Sequence, residues 1–222
     1  MQRRLRGWDR GFLITKPNCS IQSYMIPLFI LHRVFGLRSV VVTTLQAVSG
    51  AGHPGVSSNL MLDNCIPFIA GEEAKTEEEP YKIFGSIEND RIQENKDFRI
   101  SAHCNRVPTL DGHLACVSAS FETRPELSEV LRLWNEFRGI PQELSLPMAP
   151  PQSVVYLQEE DRPQPRLDRM AHKGMAVQVG RLRDCPVEQI RFVGLSHNTI
   201  RGASGGGILI AELLHEQGFL NG

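Results

Sequence analysis

The segment Leu114 to Phe121 admits few folds. Ala115, Val117, Ala119 and Phe121 alternate with Leu114, Cys116, Ser118 and Ser120. A period of two marks a strand with one packed face and one polar-leaning face. Phe98 to Val107 predicts a second strand, joined to the first by the tight connection Pro108-Thr109-Leu110-Asp111-Gly112-His113. The branched run Val40 to Leu45 predicts a third, and Met175–Val179 and Ile190–Leu195 predict two more. After Phe121 the period changes. Thr123-Arg124-Pro125-Glu126 has capping-box spacing. Leu127, Val130, Leu131, Trp134 and Phe137 then form a helical stripe, stopped by Gly139 and Pro141. Strands and helices mix without a strict βαβ rhythm, which favours an α+β fold with a mixed sheet. The 222 residues suffice for one sizeable domain around a single core.

The remaining segments are less regular. Gly11 to Thr15 reads as a strand that runs directly into Lys16-Pro17-Asn18-Cys19-Ser20. Ile21, Tyr24, Met25, Leu28 and Phe35 recur at helical spacing, with Gly36 as the stop. Pro27 should kink or break that helix. Residues 72–79 are acidic and fit either a helix or a solvated loop, and the proline-rich stretch 141–168 reads as extended loop. A last helix, Gly202 to Gln217, is entered through glycines.

Composition narrows the function. A net charge of −1 gives no footprint for nucleic acid or a membrane surface. No run of about 18 apolar residues predicts a membrane span. The Arg-rich opening, residues 1–10, is not followed by the apolar segment of a secretory signal. Five cysteines, an odd number at irregular spacing, point to a reducing cytoplasm.

Cys19 falls between a predicted strand and a predicted helix, which would seat its sulfur at a helix N-terminus and favour a thiolate. Asn18 beside it can donate an amide hydrogen bond, and the same backbone N–H groups could hold an oxyanion. A lone cysteine is otherwise a small buried hydrophobe. His113, after a glycine at a strand junction, suits an imidazole partner, since a Cys–His pair needs spatial and not sequential proximity. Arg106 ends a strand and could grip a carboxylate bidentately, or form a surface ion pair. His103, Cys104, His113 and Cys116 fit no zinc spacing, so no metal is expected. The loop Ser49-Gly50-Ala51-Gly52 could bring backbone N–H groups to a phosphate or flat ring, or simply turn. Gly202 to Gly207 lacks GxGxxG spacing and is not a dinucleotide fingerprint.

Six blocks together resemble aspartate-semialdehyde dehydrogenase of the archaeal and fungal-like type. They are Pro17-Asn18-Cys19-Ser20, the stretch Leu45 to Gly52, Gly71-Glu72-Glu73-Ala74-Lys75, Asn105-Arg106-Val107-Pro108 with Asp111-Gly112-His113, Arg162 to Asp168, and Ser196 to Ala203. They occur in the family's order and span nearly the whole chain. The resemblance implies a largely antiparallel sheet packed against helices, similar to the C-terminal domain of glyceraldehyde-3-phosphate dehydrogenase, with truncated Rossmann remnants at both ends. It divides the chain into a nucleotide-domain remnant (1–20), a catalytic and dimerisation domain (21–200) and a C-terminal helix (201–222). A nucleotide-binding first part of about 130–150 residues is expected to be missing. The apolar face of the last helix, Ile208, Leu209, Leu213 and Leu214, is therefore expected to be exposed.

By the same resemblance Cys19 is the nucleophile and His113 the acid/base. Arg106 binds the substrate carboxylate, Glu72 and Lys75 contact substrate amine and phosphate, and Gln46 and Asn18 orient substrate. Ser49, Gly50, Gly52 and Asn198 approach the nicotinamide of NADP. Glu72 could exchange roles with Glu73 by a register error. Ile21 stands where the family commonly has Thr. The implied reaction is NADPH-dependent reduction of aspartyl phosphate to the semialdehyde through a Cys thioester, in lysine, diaminopimelate, threonine and methionine biosynthesis. The implied setting is a cytoplasmic homodimer or homotetramer that binds a small substrate and phosphate. The alternatives are a non-catalytic dimerisation fragment and a related acyl-phosphate or acyl-CoA reductase.

Overall fold

The structure, a computed structural model, describes residues 2–9 and 11–220; Met1, Arg10, Asn221 and Gly222 lie outside it. Parts of the predicted 1–20 and 201–222 segments thus fall outside the described residues. Among the described residues a six-stranded sheet forms the scaffold, in the order β4-β1-β5-β8-β7-β6. Its strands are β1 Leu37–Gln46, β4 Arg99–Arg106, β5 His113–Phe121, β6 Val154–Leu157, β7 Val177–Asp184 and β8 Ile190–Ser196, while β2 Ser86–Glu88 and β3 Arg91–Gln93 form a separate hairpin. The pairs β1–β5, β5–β8 and β7–β8 are antiparallel, and β1–β4 and β6–β7 are parallel, so the sheet is mixed and mostly antiparallel.

Register decides where the site can be. Gln46 is opposite Arg106, Leu45 is opposite Leu114, and His113 is opposite Ser196. Gln46, Arg106, His113 and Ser196 therefore line up along one end of the sheet. The alternation in β5 is realised: Ala115, Val117, Ala119 and Phe121 are all buried. They pack with Val40, Val42, Val177, Val179 and Phe192 under helix α1 (Met25–Phe35) and a later helix, Leu127–Glu136. Trp134 of that later helix ties the layers together. Its ring meets Phe192 edge-on at 5.2 Å and its Nε1 donates to the Pro27 carbonyl at 3.1 Å. Burying an aromatic of this size contributes about 2–3 kcal/mol, and its indole N–H must find an acceptor.

Several elements differ from expectation. Residues 11–15 form no strand; they join no ladder among the described residues, and Leu13 and Ile14 are exposed. Pro27 does not kink α1. It is the third residue of the helix, where its missing N–H has no intrahelical acceptor to lose, and the break comes earlier at Tyr24 (φ −140°). Gly36 ends α1 at φ 66° as expected. The capping box at Thr123 does not form, because the backbone N–H groups of Glu122 and Thr123 donate to Gly36 and Phe35 at the end of α1. The helix starts at Leu127 instead. The acidic stretch is a helix, α2, Glu72–Ile83. The stretch 141–168 is not all loop: Val154–Leu157 is edge strand β6.

The helix Leu127–Glu136 is named α3, and the last helix, α4, spans Gly205–Glu216 after a π-type turn at Ile200–Ser204. Ile208 is half exposed, and Leu209, Leu213 and Leu214 are partly exposed. An apolar groove of about 430 Å³ runs beside α4, lined among others by Met25, Phe29, Phe137, Leu209 and Ile210. No helix among the described residues is long and apolar enough to cross a membrane.

Candidate active site

Six pieces of chain converge at the aligned strand ends. The loop 16–20 brings Cys19. The end of β1 brings Gln46, the end of β4 Arg106 and the start of β5 His113. The first turn of α2 brings Glu72 and Lys75, and the segment after β8 brings Asn198.

Cys19 Sγ lies 3.5 Å from His113 Nε2. His113 is fully buried, and the Ala47 N–H donates to its Nδ1 at 3.0 Å. Burial first, and the Arg106 charge second, lower the pKa of His113 to about 3. The imidazole is thus neutral across the physiological range.

Cys19 does not sit where the sequence placed it. It occupies a turn before a single 3-10 turn, Ile21–Ser23, and α1 begins only at Met25. No long helix dipole acts on its sulfur. Burial and then Glu72 push the thiol up, and Lys16, the cysteine's own backbone N–H and Arg106 offset this only in part. The resting group at neutral pH is a thiol, not the expected thiolate.

Around this pair, Glu72 is the hub. Its carboxylate accepts from Asn18 Nδ2 at 3.0 and 3.1 Å, from Gln46 Nε2 at 3.1 Å and from Lys75 Nζ at 3.4 Å. Glu73 points elsewhere, its Oε1 accepting from the Cys104 N–H at 3.2 Å. Of the two, Glu72 is the one that faces Asn18 and Gln46. Lys75 is largely exposed, so its ammonium remains open to an anion from solvent. Arg106 is buried, and one guanidinium nitrogen donates to the Ala47 carbonyl at 2.8 Å. A guanidinium has five donors in a fixed fork, so further N–H groups remain for a carboxylate.

The loop Val48–Ala51 forms the rim. A Cβ on Gly50 would lie 2.9 Å from Arg106 and from the His113 ring. Asn198 is buried behind the rim. Its Nδ2 donates to Ser49 Oγ at 2.8 Å and its Oδ1 accepts the Gly112 N–H at 2.8 Å. Both polar ends of Asn198 are occupied internally, so it braces the rim and the His113 turn. Ser49, Gly50 and Gly52 are the exposed small residues that a flat ring could approach. Gly52, at φ 68°, has nothing within 4 Å of its Cβ position and stands apart from the cluster.

Three contributors carry no site role in the sequence reading. Lys16 donates to the Gly202 carbonyl and lies in electrostatic reach of Cys19. Gly202 itself packs on the nucleophile: a Cβ there would be 2.7 Å from Cys19 Cβ. Glu79 accepts the Asn18 N–H at 2.8 Å. Glu79 carried a signal in its spacing of seven from Glu72, which puts both on one helix face, and Gly202 stands in the Ser196–Ala203 block, among glycines that let something pack close to the helix start.

The family model described as semialdehyde dehydrogenase, dimerisation domain, matches residues 28–201. Aspartate-semialdehyde dehydrogenase of Methanothermobacter thermautotrophicus is 44% identical over 218 residues, covering 97% of this chain and 62% of that protein. The malonyl CoA reductase (NADP) of Metallosphaera sedula is 38% identical over 224 residues, covering 99% of this chain and 62% of that protein. The crystal structure of aspartate semialdehyde dehydrogenase with NADP from Candida albicans superposes with a TM-score of 0.86 at 40% identity, covering 95% of this chain and 59% of that one. The chain spans about 62% of the length of these curated relatives. The match across most of the sequence, on this fold, shows that the chain belongs to the semialdehyde dehydrogenase family and carries its dimerisation domain.

Proposed function

We propose that this chain carries the catalytic residues of an NADPH-dependent aspartate-semialdehyde dehydrogenase, which reduces aspartyl phosphate to the semialdehyde. The observation that supports it most is the contact of Cys19 with His113 at 3.5 Å inside a frame of Arg106 and Glu72. Arg106 takes the substrate carboxylate in a bidentate grip. Glu72, held by Asn18 and Gln46, takes the substrate amine, and Lys75 takes the phosphate. These contacts set the acyl carbon beside the sulfur, which converts attack into an intramolecular step.

Attack forms the carbon–sulfur bond and breaks the bond to phosphate, with the thiol proton leaving to solvent. The product is a thioester on Cys19. His113, with its proton on Nε2, donates a hydrogen bond to the sulfur as it ionises and again as it departs. NADPH, when bound, supplies the hydride. The exposed Ser49, Gly50 and Gly52 rim fits the approach of its nicotinamide, with Asn198 holding that rim in place. The domain from 21 to 200 is the catalytic and dimerising unit in this reading. It works as a homodimer or homotetramer, in the cytoplasm, where the five cysteines stay free thiols.

The test joins this chain in frame to the nucleotide-binding part of the Methanothermobacter relative and measures NADPH formed from NADP, phosphate and aspartate semialdehyde. Turnover that Cys19→Ser abolishes is expected. A folded fusion with no turnover overturns the reading and leaves a non-catalytic dimerisation module. An acyl-CoA reductase is the second reading, supported by the 38% identical malonyl CoA reductase. The amine-directed set of Glu72, Gln46 and Asn18 favours the aspartyl substrate. Faster turnover with malonate semialdehyde and CoA would reverse that preference.

A further inference from the structure

Glu79 has no part in the scheme above, yet it touches the nucleophile loop. Helix α2 packs on β4 through Glu73 and Glu77, whose carboxylates accept the Cys104 and Ala102 N–H groups. It carries Glu72 and Glu79 two turns apart, about 10 Å along its axis, toward the loop 16–20. Thr76 between them is fully buried and sits 3.6 Å from Cys104 Sγ of β4. The helix is therefore fixed against the sheet, and its two carboxylates reach the loop 16–20 from a rigid rail.

Asn18 is where they meet it. Its backbone N–H donates to Glu79 Oε2 at 2.8 Å, and its side-chain amide donates to Glu72. Its Oδ1 accepts from Ser20 N at 2.8 Å and from Ser20 Oγ at 2.9 Å. Cys19 is thus bracketed by two residues whose side chains and backbone N–H groups are all engaged. Of these ties, the one to Glu79 fixes the loop backbone directly, through a hydrogen bond to an ionised acceptor, the stronger kind.

We propose that Glu79 is a positioning residue: by holding the Asn18 N–H it sets the loop so that the Cys19 sulfur stays within reach of His113 Nε2. This rests on the proposed pairing of Cys19 and His113. Removing Glu79 frees one end of the bracket and lets the sulfur drift from the imidazole, while the core under α1 and α3, which Glu79 does not join, remains intact.

The experiment measures alkylation of Cys19 by iodoacetamide at one alkaline pH, peptide by peptide by mass spectrometry, on the whole chain. It compares the parent chain, Glu79→Ala and Glu79→Gln, each with and without His113→Ala. In the parent, loss of the Nε2–H donor is expected to slow Cys19 labelling roughly three- to tenfold. In Glu79→Ala that dependence on His113 should vanish. In Glu79→Gln, whose amide oxygen still accepts the Asn18 N–H, it should persist. A merely structural role would lower the thermal midpoint and leave the His113 dependence unchanged. Should the alanine variant not fold, Glu79→Asp withdraws the carboxylate by one methylene, keeps the charge and is expected to weaken the dependence. A folded Glu79→Ala or Glu79→Asp chain with full His113 dependence overturns the positioning role alone. No His113 dependence in the parent overturns the Cys19–His113 pairing, and the role of Glu79 with it.

Discussion

The backbone N–H of Ala47 points at Nδ1 of His113 from 3.0 Å. A neutral imidazole has one donor and one acceptor nitrogen, so a donor facing Nδ1 puts the proton on Nε2. Nε2 is the nitrogen that faces Cys19. The backbone of one strand end thereby chooses which proton the nucleophile meets. The imidazolium would bring a second N–H against the Ala47 N–H, in a fully buried place. Nitrogen-15 spectra of histidine-labelled chain should show the Nε2–H tautomer of His113 with no titration between about pH 5 and 8. An Nδ1–H tautomer, or an imidazolium near neutrality, would show that the ring is held differently.

Burying a neutral histidine has a cost in acid. The pKa of His113 lies at about 3 in the fold, against about 6.5 in an unfolded chain. Between these values the unfolded chain binds the proton and the folded one does not. This contribution to stability is therefore fully present above about pH 6.5 and is lost as pH falls toward 3. Its size is on the order of a few kcal/mol. Urea midpoints from about pH 3.5 to 7 should rise more steeply with pH in the parent than in His113→Gln. Parallel curves would mean that His113 is not held neutral.

The thiol makes a third prediction, and it revises the simplest expectation from sequence. A thiolate at a helix start would label fastest of the five cysteines near neutral pH. The structure removes the helix start and pushes the Cys19 thiol up by burial and by Glu72. Cys65, by contrast, is exposed. At neutral pH iodoacetamide should label Cys65 ahead of Cys19, and the Cys19 rate should climb steadily into the alkaline range as the thiolate forms. A Cys19 rate that is maximal and flat around neutrality would restore the thiolate expected from the sequence.

Much of this site was legible because its groups stand at short, fixed offsets from motifs. Cys19 follows Asn18, His113 follows Gly112, and Glu72 leads its acidic run. The β5 alternation and the Leu127–Trp134 stripe were legible because local period alone decides which face is buried. What was not legible depends on partners far away in sequence. Gly11 to Thr15 has strand-forming residues but pairs with no strand among the described residues. Val154–Leu157 is a branched run hidden among prolines, and only β7 makes it a strand. The proton on His113 is set by the N–H of a residue 66 positions away, which leaves no mark in composition.

Gly50 makes the sharpest claim about the geometry. The Cβ of an alanine there would stand 2.9 Å from Arg106 Nη1 and from His113 Cε1 and Nε2. Neither neighbour yields easily, because His113 is fully buried and tied to the Ala47 N–H, and Arg106 is tied to the Ala47 carbonyl. Gly50→Ala should therefore displace the imidazole or the guanidinium by a few tenths of an ångström or more. In the fused enzyme such a shift should lower turnover by about tenfold to a hundredfold. The loop is exposed, so the stability loss should stay near 1–2 kcal/mol. Gly52→Ala is the contrast. Its φ of 68° strains an alanine, but nothing lies within 4 Å of the added methyl. With ψ at −160° this backbone region is all but reserved for glycine, so the substitution should cost about 1–3 kcal/mol of stability. Because Gly52 stands on the rim proposed to face the nicotinamide, any functional loss should appear in the KM for NADP, with turnover at saturating NADP within about threefold of the parent. Equal effects of the two substitutions on turnover would mean that loop flexibility, and not the close approach of Gly50 to His113 and Arg106, governs the site.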